Sequence, residues 1–480
     1  MVCIACWTKY IESLIENSHI AELLNGSLKC SICHDLIAPL DSLKDVLPKA
    51  LKDRLQNILS TIPATTHPTT IDEFNYYFNE NDELRHKITH ERFVFITQRH
   101  YNLLGDCISD YLQNRMKTQW KYKEIWLPFR KHEQTEKKEN TEEQQTSDNS
   151  GQIGDSNVDD HHDQTNIFIS DDFNTNENGC LILIQGSGVV RPNQWARSCC
   201  INESLNIGTM FPYMKHAKEN NLSVLILNPN QTTYYVNDDD ENNNPNDDKD
   251  PQSFYLTTTR VYDNRTTKRI QHNETSRKHI LYVYDNIIQE HCKGNKLYIV
   301  AHSAGGDALM YLLRERTQSL FSRLTSVAFT DSVHSLLPSE SEQIKQFLRQ
   351  NGIHFVASDE PMGTPVRKRQ SFYSYEPACM EVSAGHPKHE YTSGHCVDGV
   401  FKFFFKKQMN ESLHLEDDNK QENDDKQEQD EKQEIDDKQE QHEKQEQDEK
   451  QEIDDKQEQH EKLKNLSKEN DENHLDSEMA

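Results

Sequence analysis

The sequence lacks any apolar run approaching the ~18 residues that a membrane-crossing helix needs, so a helical membrane protein is not expected. Its first residues, "MVCIACWTKY", lack the charged-then-apolar order of a secretory signal. Its last, "DSEMA", are not an endoplasmic-reticulum retention tetrapeptide. Eleven cysteines, an odd number, without a secretion signal point to reduced thiols in the cytosol or nucleus. A basic face is also missing. The clearest cationic cluster is "VRKRQ" at residues 366–370, far short of a nucleic-acid-binding surface. Acidic segments elsewhere would repel phosphate, so RNA is expected only indirectly, through a protein partner.

What is there is acid, and it is concentrated. The net charge is −28. Residues 411–480 hold 28 acids against 10 lysines, residues 131–165 hold 10 against 3, and residues 238–250 hold 7 against 1. These stretches outweigh the total, so the remainder is close to neutral. Such polar segments cannot bury enough apolar surface to offset chain entropy. The tail also repeats: "QEQDEKQEIDDKQEQHEK" runs from Gln427 to Lys444 and recurs from Gln445 to Lys462. Only Ile435 and Ile453 interrupt its polarity, which excludes a coiled-coil seam. A disordered or solvated helical arm over residues 408–480 is expected.

The remaining chain divides by pattern. Residues 1–65 read as a helical N-terminal segment, with apolar spacings of three and four in "WTKYIESLIENSHIAELL". Residues 66–130 follow as a compact part with one long amphipathic helix and an extended "YKEIWLPF". Residues 131–165 form an acidic linker or insertion. From residue 166 to 407, short continuous apolar runs alternate with helical patterns: "NIFIS", "GCLILIQGSG", "LSVLILNPN", "KLYIVAHS", "LTSVAFTDSVH" and "IHFVASDEP". A low-complexity insertion interrupts them at about residues 237–252. That alternation predicts an α/β fold, a mostly parallel sheet with helices on both faces.

"IVAHSAGG" sets Ser303 between a strand and a helix, with Gly305 two residues on. This is the layout of a nucleophile elbow, where a tight turn lifts a hydroxyl above the sheet edge. Ala301 stands where the first glycine usually does. The Ala304 amide, at the adjacent helix N-terminus, is placed to face an oxyanion. Upstream, Gly186, Ser187 and Gly188 end another strand, where a hydrolase keeps its second oxyanion donor.

A triad then requires an acid and a histidine, in that chain order. Asp331, Asp359 and Glu360 each follow a strand, and "VSAGHPKHEYTSGH" supplies His386, His389 and His395. His389 is the preferred base, with its neighbours left open. His302 reads as structural and His334 as a possible pocket residue. Cys3, Cys6, Cys30 and Cys33 form two C-x-x-C pairs, a count that fits tetrahedral zinc; free thiols in a helical pair are the competing reading. No other cofactor is expected.

"FNYYFNENDELRH", "IQGSGVVRPNQWARSCCINESLNIGTMFPYMKHA", "VAHSAGG", "FTDSVHS" and "SAGHPKHEYTS" together resemble the metazoan cotranscriptional-regulator family, whose core is an argonaute-binding-protein-two type domain related to α/β-hydrolases. The resemblance covers roughly residues 70–128 and 166–407. It implies a nuclear protein, with the cytoplasm also open, that works with argonaute-type and chromatin proteins in small-RNA-linked heterochromatin formation, the siRNA pathway and splicing. It also implies that Ser303, Asp331 and His389 match the hydrolase positions, and it favours Glu360 over Asp359 as the other acid. Hydrolase activity is the alternative function.

Overall fold

The computed structural model describes residues 4–16, 47–130, 161–236, 266–366 and 378–405. The chain divides into one compact unit, residues 1–405, and a second, residues 406–480, which lies outside the described residues. The expectation for the acidic arm falls there, and that for the linker falls largely on residues 131–160, also outside the described residues.

The strands are β1 (Tyr76–Phe78), β2 (Leu84–His86), β3 (Lys123–Leu127), β4 (Thr165–Ile169), β5 (Cys180–Ile184), β6 (Ser223–Ile226), β7 (Thr233–Tyr235), β8 (Thr267–Arg269), β9 (Leu297–His302), β10 (Leu324–Thr330), β11 (Gly352–Val356) and β12 (Met380–Ser383). The main helices are α1 (Ile4–Glu16), α2 (Lys49–Leu59), α3 (Gln98–Thr118), α4 (Phe211–Glu219), α5 (Ser276–Val283), α6 (Gly305–Glu315), α7 (Glu342–Asn351) and α8 (Val397–Phe405).

Eight strands form one sheet in the order β12-β11-β10-β9-β5-β6-β4-β3. β4 runs antiparallel to both its neighbours, β3 and β6, and the other pairings in the sheet are parallel. Counting these eight in chain order, the third and fourth have exchanged places. The connection therefore reverses direction between β5 and β9, a topological switch point that opens a crevice at the strands' carboxyl ends. β4, β5 and β9 are buried along their whole lengths. A strand covered on both faces needs no polar alternation, which is why the sequence shows it as a continuous apolar run.

Apolar packing supplies the main drive. Ile182, Ile184, Ile299, Leu309, Leu313 and Phe329 lie in one cluster, each contributing about 1.5–3 kcal/mol relative to exposure. A separate cluster joins Ile11 and Leu14 of α1 to Leu51, Leu55 and Ile58 of α2 and to Ile96.

Helix starts differ in an informative way. The side chains of Thr97, Thr275 and Ser341 accept from the first turns of α3, α5 and α7. Helix α6 has Ala304 at its N-cap and so no side-chain cap; the Gly306 amide turns back to Ser303 O at 3.1 Å, while the Ala304 amide donates to no acceptor among the described residues. Beyond α5, a π-helical turn at Tyr284–Ile288 interrupts what reads in the sequence as one helix. The hairpin of β7 and β8 brackets residues 237–265, which contain the acidic insertion and are not described.

Candidate active site

Strand register brings the site together. Ile184 of β5 pairs with Ala301 of β9, and His302 of β9 with Thr330 of β10. Continuing each strand past its end sets Gly186, Ser303 and Asp331 side by side across three neighbouring strands. Ser303 sits at φ 50°, a left-handed conformation that costs a serine on the order of 1–3 kcal/mol. Its surroundings hold it there. The Ser303 amide donates to Thr330 O (3.1 Å), and its carbonyl accepts from the amides of Gly306 (3.1 Å) and Val333 (3.2 Å). Ser332 Oγ donates to the same carbonyl at 3.1 Å. At Gly305 a Cβ would stand 2.8 Å from the carbonyls of Ile184 and Gln185, so only glycine lets α6 start this close to β5.

His389 Nδ1 donates to Asp331 Oδ2 at 2.6 Å, while the Ala357 amide donates to Asp331 Oδ1 at 3.0 Å. Burial pushes the Asp331 carboxyl up, but the hydrogen bonds from His389 and Ala357 outweigh it and hold the group below its usual range. The same carboxylate raises the His389 imidazole above 6.5, against the opposing effect of partial burial. With Nδ1 committed to Asp331, Nε2 is the nitrogen left to take a proton. No hydrogen bond joins Nε2 to Ser303 Oγ in this conformation.

The Gly186 position lies against the serine. A Cβ built there would fall 2.7 Å from Ser303 Cβ and 3.3 Å from its Oγ. Beyond it, Ser187, Gly188 and Val189 are exposed, and Gly188 has φ 117°. Among the described residues, the amides of Ser187 and Ala304 donate to no protein acceptor. The loop's carbonyls, in contrast, are tied back. Asn230 Nδ2 donates to Gly186 O at 2.7 Å, and Arg197 Nη2 donates to Val189 O at 2.9 Å.

The other candidates take different places. His302 is buried and donates from Nδ1 to Thr330 O at 2.8 Å; burial, with the nearby His389, lowers it to about 4, so it is neutral near pH 7. Its ring stacks on that of His389 at 4.7 Å. His386 stacks with Tyr391 and His395 in a separate group. His334 stacks on Phe329. Asp359 and Glu360 are exposed one strand farther out, and neither bonds to His389, so the carboxylate on the imidazole is that of Asp331. Of the cysteine quartet, Cys3, Cys30 and Cys33 lie outside the described residues, and the Cys6 side chain is likewise undescribed. No metal-holding group of His, Cys, Asp or Glu occurs among the described residues. A cavity of about 500 Å³ lined by His272, Lys278, Tyr282, Asp285 and Arg316 contains none of the candidate residues.

Four supporting residues were not singled out from sequence. Asn230 and Arg197 hold the Gly186–Val189 loop. His354 accepts from the Ser332 amide at 2.9 Å and meets Glu381 at 3.2 Å, bracing the turn after β10. The quoted "LNPN" and "QWARSCC" contained the first two, but an asparagine after a strand and an arginine in a helix carry no distinguishing signal.

The sheet order, the elbow serine and the carboxylate–imidazole pair define an α/β-hydrolase-like protein. The Arb2 domain matches residues 67–362, and the chain belongs to that family. The match ends before β12 and His389. Similar proteins include the cotranscriptional regulator ARB2A homolog of Dictyostelium discoideum, 36% identical over 70% of this chain and 79% of its own. The cotranscriptional regulator ARB2A of Homo sapiens is 30% identical over 76% of this chain and 86% of its own. The likeness thus extends outside the animals. A histone deacetylase from Saccharomyces cerevisiae is similar over 64% of this chain and 99% of its own, at 10% identity and a TM-score of 0.35.

Proposed function

We propose that this chain is a nuclear regulatory protein acting in cotranscriptional control, through argonaute-type and chromatin partners. The observation that carries this reading is the 30–36% identity, over 70–76% of the chain, to proteins bearing the cotranscriptional-regulator name. In it the hydrolase-like unit serves as a docking scaffold for heterochromatin, siRNA or splicing machinery, with RNA reached only through those partners. The test is fractionation of cells followed by capture of the tagged full chain and nuclease treatment. Nuclear enrichment with nuclease-resistant argonaute and chromatin proteins supports the reading. A chain confined to the cytoplasm that captures neither sinks it.

A specific observation favours a second reading, a serine hydrolase: the 2.6 Å Asp331–His389 hydrogen bond beside a serine held at φ 50°. In this reading Ser303 Oγ forms a bond to an ester carbonyl carbon as its proton passes to His389 Nε2. The carbonyl electron pair moves onto oxygen, facing the Ser187 and Ala304 amides. The alkoxide then leaves with that proton, and water releases the acid by the same route. Labelling with a fluorophosphonate, which loses fluoride on bonding to an activated serine, tests it. Label lost in both Ser303→Ala and His389→Ala supports the chemistry; equal labelling of wild type and both variants rejects it.

A further inference from the structure

The loop after β5 is held asymmetrically: the Gly186, Val189 and Val190 carbonyls are bonded, while the Ser187 amide donates to no acceptor among the described residues. Asn230 Nδ2 reaches Gly186 O at 2.7 Å and Val190 O at 3.4 Å. Asn230 follows β6, and in the sheet β5 lies between β6 and β9. The hydrogen bond therefore draws the Gly186 carbonyl toward the β6 side. The Gly186–Ser187 peptide is trans, because the Leu127–Pro128 bond accounts for the cis peptides among the described residues. In a trans peptide the carbonyl and the following N–H point in opposite directions. The Ser187 N–H is thus directed to the β9 side, where Ser303 stands at the strand's end.

Two further facts agree with that direction. The missing Gly186 side chain would itself meet Ser303 Cβ at 2.7 Å, so this edge of the loop faces the serine. Arg197, buried and paired with Asp106 at 2.7 Å, holds Val189 O at 2.9 Å and limits rotation at the loop's far end.

We propose that Asn230 is a positioning residue that turns the Ser187 amide toward Ser303 and so completes the oxyanion site. The inference rests on the hydrolase reading and deepens it: a side chain on β6's loop, touching no substrate, sets the geometry in which negative charge is stabilised. An amide side chain suits the task because its NH₂ donates to the carbonyl without placing a charge near the developing oxyanion.

The test is the inactivation kinetics of the full chain with a fluorophosphonate, comparing wild type, Asn230→Ala and the near-isosteric Asn230→Asp, which keeps the shape and loses the donor. The maximal rate of labelling is expected to fall about 10–100-fold in both, below the loss from removing a donor outright. The half-saturating probe concentration is expected to hold within about twofold, and the pH midpoint to stay in place in Asn230→Ala, which adds no charge, because His389 and Asp331 are untouched. A merely structural role would move those readouts too. Hydrogen exchange of residues 186–190 should quicken in both variants. An unchanged maximal rate in folded variants overturns the inference alone. A wild type that takes no label overturns the hydrolase reading first and this role with it, before any variant is compared.

Discussion

His389 and Asp331 lie 58 positions apart in the chain, yet their side chains meet at 2.6 Å, Nδ1 against Oδ2. The distance is that of a charge-assisted hydrogen bond and fixes which imidazole nitrogen is free. Asp331 is itself in the left-handed region at φ 40°, with its amide bonded to Phe355 O at 2.7 Å. Two strained residues on adjacent strand ends, Ser303 and Asp331, are thus both anchored by backbone bonds to the next strand.

Asp331→Asn should move the pH profile of Ser303 labelling. In the hydrolase reading the base works when His389 is neutral, so labelling rises with pH through the imidazole's pKa, which Asp331 raises above 6.5. Without the carboxylate the midpoint should fall, and the plateau rate should fall with it. A profile unmoved by the substitution would show that Asp331 does not orient the base. The linkage sign follows from the same shifts. The raised His389 contributes stability that is complete below 6.5 and fades as pH rises through its folded value. The lowered Asp331 contributes stability present above 3.8 that fades as pH falls through its folded value.

Glu360→Gln separates the two acids. Glu360 is exposed, and its bonds run through its backbone, the amide to Ser358 and the carbonyl from Ser383. Labelling and thermal midpoint should match wild type. A loss of labelling as large as that in Asp331→Asn would restore Glu360 as the functional carboxylate.

Gly186→Ala should cost stability and reactivity together. The new methyl would stand 2.7 Å from Ser303 Cβ, so the loop or the elbow must shift. Overpacking of this kind costs about 1–3 kcal/mol. A denaturation midpoint and a labelling rate both equal to wild type would mean the loop does not lie against the serine.

Phe329→Ala probes the support beneath the elbow. Phe329 is fully buried on β10, and the His334 ring lies over it at 3.7 Å. A loss of about 3–5 kcal/mol is expected from equilibrium denaturation. A loss below about 1 kcal/mol would contradict its place in the core.

Much of the fold was legible because a strand buried on both faces writes itself as a continuous apolar run. β5 and β9 are the clearest cases, and Ser303 was found by its position after the second. The exchange of β5 and β6 in the sheet was not legible, since it depends on which side each crossover helix packs. β3 joins the sheet from across an acidic stretch that sequence treats as a boundary. Chain order alone could not separate the three acids after strands, because it is blind to lateral position: Asp331 ends the strand beside β9, whereas Asp359 and Glu360 follow the next one out. Asn230 was hidden for another reason. Its role lies in a bond to a backbone carbonyl 44 residues earlier, and an asparagine after a strand ordinarily signals a turn.

The most direct measurement is fluorophosphonate labelling of the purified full chain beside Ser303→Ala and His389→Ala, each checked for folding by its thermal transition. The hydrolase reading predicts a labelled wild type and two folded variants that take no label, since the serine needs its base and the base needs its serine. A folded wild type that stays unlabelled would contradict it, and the Asp331–His389 pair would then belong to an inherited framework for docking partners.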